Sequence, residues 1–298
     1  MSGYAATAER AEVRSVPARA RTRKLFRILV VYLVLIGAAV LMVFPLLWLI
    51  SASLKTAQQQ IAFPPSMIPA PPYPQNYVDL FQKVPIQVYT KNSLVISVSS
   101  LVGMCLSSSL AAFAFAKLRF RGKNVIFSVM MATIMVPFAV TLVPTFFIMR
   151  NLGWVNTQLP LIAPNFFGSA FMVFLLRQAY RGIPQDLMDA AKIDGASFFK
   201  IYLHIFLPLG MPALVTVGLL TFLYSWNDLL NPLIYLNDGA LYTVQLGLAF
   251  LKGKAGTGMG SIGVMMAGSL IGAVPMLLLY VVGQKYFIQG LARTGMKG

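Results

Sequence analysis

The side chains that could carry out chemistry are few in this chain of 298 residues. There is one cysteine, Cys105, one histidine, His204, and there are eight acidic residues. A zinc site needs several Cys or His ligands, and acid–base or nucleophilic catalysis needs a suitable pair of groups. We therefore expect no metal site and no catalytic residues. The P-loop sequence GxxxxGK[ST] is also missing, so ATP hydrolysis is not expected of this chain.

A group of polar residues lies inside a long apolar run of the sequence. The stretch LYSWNDLLNPLIY contains Tyr224, Trp226, Asn227, Asp228 and Asn231. An acidic side chain is costly in an apolar setting and usually faces a cavity or the interior of a bundle. These polar residues could line such a cavity, or they could join helices by hydrogen bonds. The sequence leaves both alternatives open.

The composition indicates the surroundings in which these polar residues lie. Hydrophobic residues make up 58% of the chain and charged residues only 11%. Soluble domains carry about 25% charged residues, so this chain has too little charge to cover a surface that faces water. The net charge of +16 would suggest nucleic acid for a soluble protein, but the charges lie in short clusters between apolar runs. We therefore expect an integral membrane protein that does not bind nucleic acid.

Six apolar runs are long enough to cross a bilayer, which takes about 20 residues of helix. They are continuously apolar, whereas barrel strands alternate. We therefore expect an all-α membrane protein with six transmembrane helices. The predicted spans are 25–54, 92–116, 125–149, 159–176, 208–236 and 262–287. Pro164 and Asn165 interrupt the fourth run, so a kink is expected there.

The distribution of positive charge predicts the orientation. Of the Lys and Arg residues, 18 lie on the side of the two termini and 6 on the other. By the positive-inside rule both termini are cytoplasmic. Residues 1–24 are expected to form a basic cytoplasmic tail without stable structure, and residues 25–298 the transmembrane domain. The Pro-rich segment 55–91 is expected to be an outer loop of extended and turn structure.

The link between the fourth and fifth spans, about residues 180–207, predicts a helical hairpin. Pro184 suits the first position of a helix that should run to Ile193. Gly195 can take the left-handed conformation that ends a helix, and Ser197 is a suitable cap for a second helix. Apolar residues recur at helical spacing along one face of this second helix: Phe198, Ile201, Tyr202 and Ile205. The hairpin should project into the cytoplasm.

The sequence DAAKIDGAS in this hairpin resembles the EAA loop of binding-protein-dependent ABC importer permeases. That pattern begins Glu-Ala-Ala, and three residues separate the second Ala from a Gly. Here Asp189 replaces the Glu, which keeps the charge and shortens its reach. Three further segments resemble the maltose-type, carbohydrate-uptake branch: Asn92-Ser93, Trp226-Asn227-Asp228, and Tyr286-Phe287-Ile288-Gln289-Gly290 with Lys297-Gly298.

The resemblance implies that the hairpin docks in a cleft on an ATP-hydrolysing subunit. The residues it assigns to this coupling are Asp189, Ala190, Ala191, Asp194, Gly195, Ala196 and Phe198. It also implies alternating access driven by a dimer of ATPase subunits, which would bind ATP and Mg. This chain itself would bind no cofactor. The other implied partners are a second permease subunit of different sequence and an extracytoplasmic substrate-binding protein.

The resemblance further implies import of a sugar or oligosaccharide across a bacterial or archaeal inner membrane. Acceptors beside aromatic rings suit the hydroxyls and apolar ring faces of sugars. The polar residues 224–231 are therefore candidates for the substrate path, near the outer end of the fifth span. Their packing role stays open as the alternative.

A self-contained ion-coupled transporter or channel is the competing interpretation. Such proteins usually place several ionisable residues inside their spans, whereas Asp228 is the sole acid in the six predicted runs. No inverted repeat is evident either. These observations favour the importer permease.

Overall fold

The computed structural model describes the backbone of residues 18–255 and 261–295, with side chains over 26–251, 262–281, 283 and 284. Over the described residues the chain is helical and contains no strand. Its helices are α1 (Ala18–Ser53), α2 (Ala57–Ile61), α3 (Gln75–Lys83), α4 (Ile86–Lys117), α5 (Lys123–Ala132), α6 (Phe138–Asn151), α7 (Leu159–Ile162), α8 (Ala170–Arg181), α9 (Gln185–Ile193), α10 (Phe198–Ile201), α11 (Leu207–Leu209), α12 (Met211–Asn227), α13 (Leu230–Tyr235), α14 (Val244–Ala255) and α15 (Ser261–Gly295). The all-α prediction is confirmed.

The chain divides into two units, residues 1–50 and 51–298. In the first unit α1 begins at Ala18, inside the predicted unstructured tail, since Ala, Arg and Lys are strong helix formers. Residues 1–17 of that tail lie outside the described residues. From Phe26 onward the apolar side chains of α1 in this unit are mostly exposed. A continuous apolar helix of this length is suited to hydrocarbon.

Four helical segments of the described chain are long and apolar enough to cross a membrane: Phe26–Ser53, Ile86–Lys117, Leu159–Arg181 and Ile262–Val281. Two bent pairs raise the number to six if each pair is one span: Lys123–Met135 with Phe138–Asn151, and Phe198–Leu209 with Met211–Asn227. The structure therefore supports four to six membrane helices at the places where six were predicted.

The third predicted span is not one continuous helix. α5 and α6 meet at an angle of 102°. Pro137 lies at this bend and lacks the N–H that would continue the helix. Val136 takes an extended conformation with ψ 116°, as expected for a residue before proline. The prediction of an unbroken helix over 125–149 is therefore wrong.

The fifth predicted span is also broken, at both ends. α12 stops at Asn227, and Asp228 has the extended dihedrals φ −68° and ψ 123°. The Asp228 carboxylate accepts a hydrogen bond from the backbone N–H of Asn231 at 3.2 Å, so it supports the start of α13. At the other end a bend of 78° at Gly210 separates α11 from α12. The predicted helix over 208–236 is thus a shorter helix between two breaks.

The predicted kink in the fourth span is confirmed. A 3-10 turn over Ala163–Phe167 follows α7, and Gly168 at φ +79° precedes α8. The amide of Asn165 donates to Ser100 Oγ at 3.1 Å and to the Leu161 carbonyl at 3.0 Å. These hydrogen bonds satisfy the polar groups at the kink, which the hydrocarbon of a membrane could not hydrogen-bond.

α4 is the central helix of the second unit, and many of its buried side chains are small and polar. Its fully or almost fully buried serines are Ser93, Ser97, Ser100, Ser108 and Ser109. Small residues let neighbouring membrane helices approach closely. At Gly103 a Cβ atom would lie 2.5 Å from the ring of Phe166, so glycine is needed there. Close approach therefore holds the kinked fourth span against α4.

The Pro-rich segment is more ordered than predicted. It contains α2 and α3, and Leu80 of α3 is fully buried. The Asn76 amide donates to the carbonyl oxygens of Ser53 and Lys55, both at 2.9 Å. The prediction of extended and turn structure is right only between these two helices, where most of the prolines lie.

A hydrogen-bond network joins the start of α4 to the loops around it in the second unit. The Asn92 side-chain amide donates to the backbone carbonyls of Ala240 and Tyr242 at 2.8 and 3.1 Å. The side-chain oxygen of Asn92 accepts a hydrogen bond from the Gln158 side chain. Ser93 Oγ accepts the Val244 N–H at 2.9 Å. Nearby, the side-chain oxygen of Asn156 accepts the N–H groups of residues 237 and 238. The loops at this end are therefore tied to α4 and to each other.

Gly210→Ala should destabilise the protein, although alanine normally favours helix over glycine. A Cβ at Gly210 would lie 2.2 Å from the Tyr180 ring and 2.8 Å from the Phe206 carbonyl oxygen. Overpacking of this kind costs about 1–3 kcal/mol, so the melting temperature in detergent should fall. Gly37→Ala is the matched control, because nothing lies within 4 Å of its Cβ position. An unchanged melting temperature for Gly210→Ala would contradict the tight bend.

Candidate functional site

The hairpin begins with α9, as predicted, with a shift of one residue. Pro184 has φ −54° and ψ 139° and precedes the helix as its cap, so the first helical residue is Gln185. Asp186 lies in the first turn, where a negative charge is favourable. The helix ends at Ile193, at the predicted residue.

The turn of the hairpin has the hydrogen bonds of a Schellman motif. The Ala196 N–H donates to the Ala191 carbonyl at 2.9 Å, and the Gly195 N–H donates to the Lys192 carbonyl at 3.0 Å. Gly195 has φ +76°, a conformation that costs other residues about 1–2 kcal/mol. Ala191 and Ala196 are half-buried and pack on the apolar cluster below. The spacing Ala-Ala-x-x-x-Gly therefore places the glycine at the position after the helix where the Schellman motif needs a left-handed residue.

The second arm of the hairpin departs from a regular helix. Ser197 Oγ accepts the Lys200 N–H at 3.3 Å, which confirms the predicted cap. After α10 the residues Tyr202–Phe206 form a π-helical turn. Phe206, Ile201 and Tyr202 are buried, whereas Phe198 is 52% exposed. The apolar face predicted for this helix is therefore buried at Ile201 and Tyr202 and exposed at Phe198.

The base of the hairpin is fixed to the bundle. Met188, Ile201 and Phe206 are almost completely buried in one apolar cluster with residues of α4 and α8. The hydroxyl groups of Tyr202 and Ser109 form a 2.7 Å hydrogen bond. Lys117 at the end of α4 donates to the Ile183 carbonyl at 2.6 Å. A displacement of the hairpin would therefore move α4 and α8 with it.

The tip of the hairpin carries all seven residues predicted for coupling. Five of them are exposed and two are half-buried: Asp189, Ala190, Asp194, Gly195 and Phe198 in the first group, Ala191 and Ala196 in the second. Lys192 forms an ion pair with Asp189 at 3.3 Å. Its ammonium lies 5.6 Å from the centre of the Phe198 ring. A charged pair and an aromatic ring thus lie together on the surface of the tip.

Two apolar residues of the tip were missed by the sequence reasoning. Ile193 is 87% exposed and Phe199 is 62% exposed. Both flank the Gly195 turn, and their apolar character in a short polar turn is the signal that could have identified them. Together with Phe198 they form an exposed apolar surface, which is typical of an interaction site.

A cavity of about 580 Å³ lies inside the second unit, between α4, the kinked fourth span and the α12–α13 break. This volume is in the range of small-molecule sites. Its polar lining comes from several elements: Thr145, Asn165, Ser169, Thr221, Tyr224, Ser225, Asp228, Asn231 and Thr243. The cavity therefore combines hydroxyl and amide groups with an aromatic ring and one carboxylate.

The structure divides the five predicted path residues. Tyr224, Asp228 and Asn231 line the cavity, and the Asn231 amide donates to the Asp228 carboxylate at 2.8 Å. Trp226 is 1% exposed, and its Nε1 donates to the Gly272 carbonyl at 2.9 Å. Asn227 donates to the Leu223 carbonyl of its own helix. Trp226 and Asn227 therefore have the packing role that the sequence left open.

Helical periodicity could have distinguished the residues that line the cavity from those that pack against other helices. Residues at i, i+3 or i+4, and i+7 share one face of a helix. Thr221, Tyr224 and Asp228 have this spacing, whereas Trp226 is rotated to the other side of α12.

Asn165 was noticed only as an interruption of the fourth run, although a polar residue beside a proline in a membrane helix is itself a candidate for a cavity lining.

An apolar helical bundle with an open, partly polar cavity and an exposed helical hairpin is an arrangement suited to a membrane transport protein. The model of the family described as binding-protein-dependent transport system inner membrane component matches residues 103–293. The chain belongs to this family, as the hairpin sequence predicted. This membership favours the importer permease over the self-contained transporter.

The curated relatives are similar along most of their length. An arabinooligosaccharide transport system permease of Halalkalibacterium halodurans is 34% identical, over 87% of this chain and 93% of that protein. A lactose transport system permease of Rhizobium radiobacter is 30% identical, over 88% and 94%. A sulfoquinovosyl glycerol transport system permease of Agrobacterium fabrum is 31% identical, over 88% and 93%. Each of them is named as a permease of a transport system for a carbohydrate or a glycoside.

Solved structures have the same fold. A chain of a bacterial ABC transporter involved in the import of the acidic polysaccharide alginate aligns with a TM-score of 0.78 and 24% identity, over 91% of this chain and all of that one. A chain of a bacterial alginate transporter bound to its periplasmic protein aligns with a TM-score of 0.63 and 16% identity, over 88% of this chain and 94% of that one. At these identities the likeness concerns the fold.

Gly195→Val should open the hairpin turn without unfolding the bundle. The positive φ costs a β-branched residue about 1–2 kcal/mol, while nothing lies within 4 Å of the Cβ position, so the effect is conformational. Hydrogen exchange of the Ala196 amide should become roughly tenfold faster. Gly195→Asn is the matched control, because Asn tolerates the left-handed region. Equal protection in the two variants would show that the turn does not depend on this conformation.

Proposed function

We propose that this chain is a transmembrane permease subunit of an ATP-driven ABC importer for a sugar or oligosaccharide. The observation that carries the proposal is the hairpin: its base is buried in the bundle, and its tip exposes apolar residues around a rigid turn. Such a tip is suited to insertion into a cleft of a motor protein. The carbohydrate specificity is supported by the names of the three relatives and by the hydroxyl-rich cavity.

The proposed arrangement in the membrane has six spans, in which each bent helix pair counts as one span. Both termini and the hairpin then lie in the cytoplasm, where the positive-inside rule places the basic links. The membrane is the inner membrane of a bacterium or archaeon. Residues 25–298 act as the transmembrane domain, and the basic segment 1–24 lies at the cytoplasmic surface.

The proposed partners follow from this arrangement. Two ATPase subunits bind ATP and Mg and receive the hairpins, and this chain supplies no catalytic group and binds no cofactor. A second permease of different sequence completes the translocation path. An extracytoplasmic binding protein delivers the substrate to the outer face. Surrounding lipid covers the exposed apolar faces of the helices.

The mechanism is alternating access driven through the hairpin. Closure of the ATPases shifts the hairpin tip, and the rigid Gly195 turn passes the shift to the base. The Tyr202–Ser109 hydrogen bond and the buried Met188 then carry it into α4. Because α4 packs against the kinked fourth span and α12, the walls of the cavity move together. Substrate access changes from one side of the membrane to the other.

The cavity is the proposed contribution of this chain to the substrate path. Asp228 and Asn231 are held by their mutual hydrogen bond at 2.8 Å, so their remaining acceptor and donor groups are already oriented. Tyr224 is 62% exposed and offers an aromatic face on which a sugar ring can stack. Thr221 and Ser225 on the same helix add hydroxyl groups.

Ile193→Asp should uncouple ATP hydrolysis from uptake. A carboxylate placed in an apolar contact loses its water without gaining a partner, which costs several kcal/mol, so sugar uptake by the reconstituted complex should fall by roughly tenfold or more. Basal ATP hydrolysis should continue. The control is Lys200→Gln, an exposed change on the second arm that leaves the tip intact. Gly195→Asp should behave as Ile193→Asp does, and normal uptake in both variants would exclude the hairpin tip as the docking element.

Asp228→Asn should weaken uptake without loss of fold. The amide oxygen still accepts the Asn231 N–H, so the start of α13 is preserved, but the charged acceptor is lost from the cavity. Hydrogen bonds to charged groups contribute about 1.5–3 kcal/mol, so the substrate concentration for half-maximal uptake should rise roughly tenfold or more. Asn227→Ala is the control, since Asn227 faces away from the cavity. Equal effects of the two changes would place the substrate path elsewhere.

A further inference from the structure

Four cations form a cluster at the hairpin end of the bundle, where the end of α4, the start of α5 and the end of α8 meet. This basic cluster consists of Arg119, Lys123, Arg177 and Arg181. The Arg177 side chain joins the three elements: its Nε donates to the Phe115 carbonyl at 3.2 Å, and its guanidinium lies 3.9 Å from the centre of the Phe127 ring. Arg119, Arg177 and Arg181 all lie close enough to Lys123 for their positive charges to repel its ammonium group.

No acidic side chain neutralises the basic cluster within the described part of the chain. The ion pairs found there are Lys83–Asp79 and Lys192–Asp189, and neither involves a member of the cluster. Lys123 donates instead to the Leu118 carbonyl at 2.8 Å. Like charges held close together without a counterion repel one another. The cluster is therefore suited to an anion from outside the chain.

An open hollow of about 420 Å³ lies beside two of these cations. It is lined by Arg119, Phe120, Gly122, Lys123, Asn124 and Val125. The hollow lies at the N-terminus of α5, a helix of 10 residues. The N–H groups of Asn124 and Val125 form no hydrogen bond among the described residues. Free amides at a helix N-terminus together with Arg and Lys favour a phosphate group.

The surface that continues from the hollow is apolar. Val125, Ile126 and Val129 of α5 are 67%, 51% and 61% exposed, and they belong to a helix of the membrane-spanning pair. A free phosphate ion would make no use of this surface, whereas the acyl chains of a lipid would cover it. The cationic hollow and the apolar helix face together match a headgroup and its chains.

We propose that the basic cluster is a binding site for an anionic glycerophospholipid, whose phosphate lies between Arg119, Lys123 and the N-terminus of α5. The acyl chains then run along the exposed face of α5. The site is independent of the transported substrate and of ATP. Because Arg177 and Arg181 lie on α8, directly before the hairpin, the bound headgroup neutralises charge at the point where the hairpin joins the bundle.

The test is native mass spectrometry of the full-length chain, purified in mild detergent with its co-purifying subunits. It is titrated with dioleoyl phosphatidylglycerol or with dioleoyl phosphatidylcholine. The anionic lipid should bind more tightly. Each cation near a headgroup contributes about a fivefold change in affinity, so Arg119→Gln should weaken phosphatidylglycerol binding roughly fivefold. The double variant Arg119→Gln/Lys123→Gln should weaken it by roughly 20-fold or more.

The control is the double variant Lys91→Gln/Arg150→Gln, which removes two exposed cations outside the cluster and should leave binding unchanged. Melting temperatures show whether each variant is folded, and the single Arg119→Gln change keeps the test available if the double variant is not. Equal affinity for the two lipids, or unchanged binding in the Arg119→Gln variant, would overturn the proposal. Displacement of the lipid by excess inorganic phosphate would also overturn it, because the site would then belong to the free ion.

Discussion

A break in a membrane helix exposes backbone groups that hydrocarbon cannot hydrogen-bond, and the bundle depends on how these groups are satisfied. The fourth span is broken around Pro164, and the Asn165 amide bridges the gap to Ser100 of α4. The fifth span is broken at Asp228, whose carboxylate accepts hydrogen bonds from Asn231. Both breaks are therefore supported by side chains that the protein holds in place. For the fourth span this support comes from the serine-rich face of α4, and for the fifth span it comes from Asp228 itself.

The cavity and the breaks share one physical cause. A continuous helix presents few polar groups to its neighbours, whereas an interrupted one offers amides, hydroxyls and free carbonyls at membrane depth. Asn165, Asp228 and Asn231 all lie at interruptions, and all line the cavity. The structure thus places its polar groups where backbone irregularity is already compensated. The residues that line the proposed substrate path are also residues that stabilise the fold, which is why the conservative change at Asp228 separates the two roles better than truncation does.

The sequence predicted those features that are set by local chemistry. The helical character of the apolar runs, the end of α9 at Ile193, the left-handed Gly195 and the Ser197 cap all depend on a few adjacent residues, and the structure has each of them. Features that depend on distant partners were missed. Pro137 could have been accommodated in a straight helix, and the adjacent residues alone do not predict the 102° angle between α5 and α6. The chemistry of Trp226 left both the path and a packing role open, and its hydrogen bond to Gly272 of α15 holds it in the core.

The hydrogen-bond network at the start of α4 limits how the far end of the molecule can deform. Asn92 alone holds two carbonyls of the segment before α14 and accepts a bond from Gln158, and Ser93 next to it holds the first amide of α14. Separation of these loops would break several hydrogen bonds at once. The start of α4 and the loops bound to it should therefore move together as one rigid group. An opening on that side would have to form at the edge of this group of loops and not between them, and its width would follow from how far the whole group tilts.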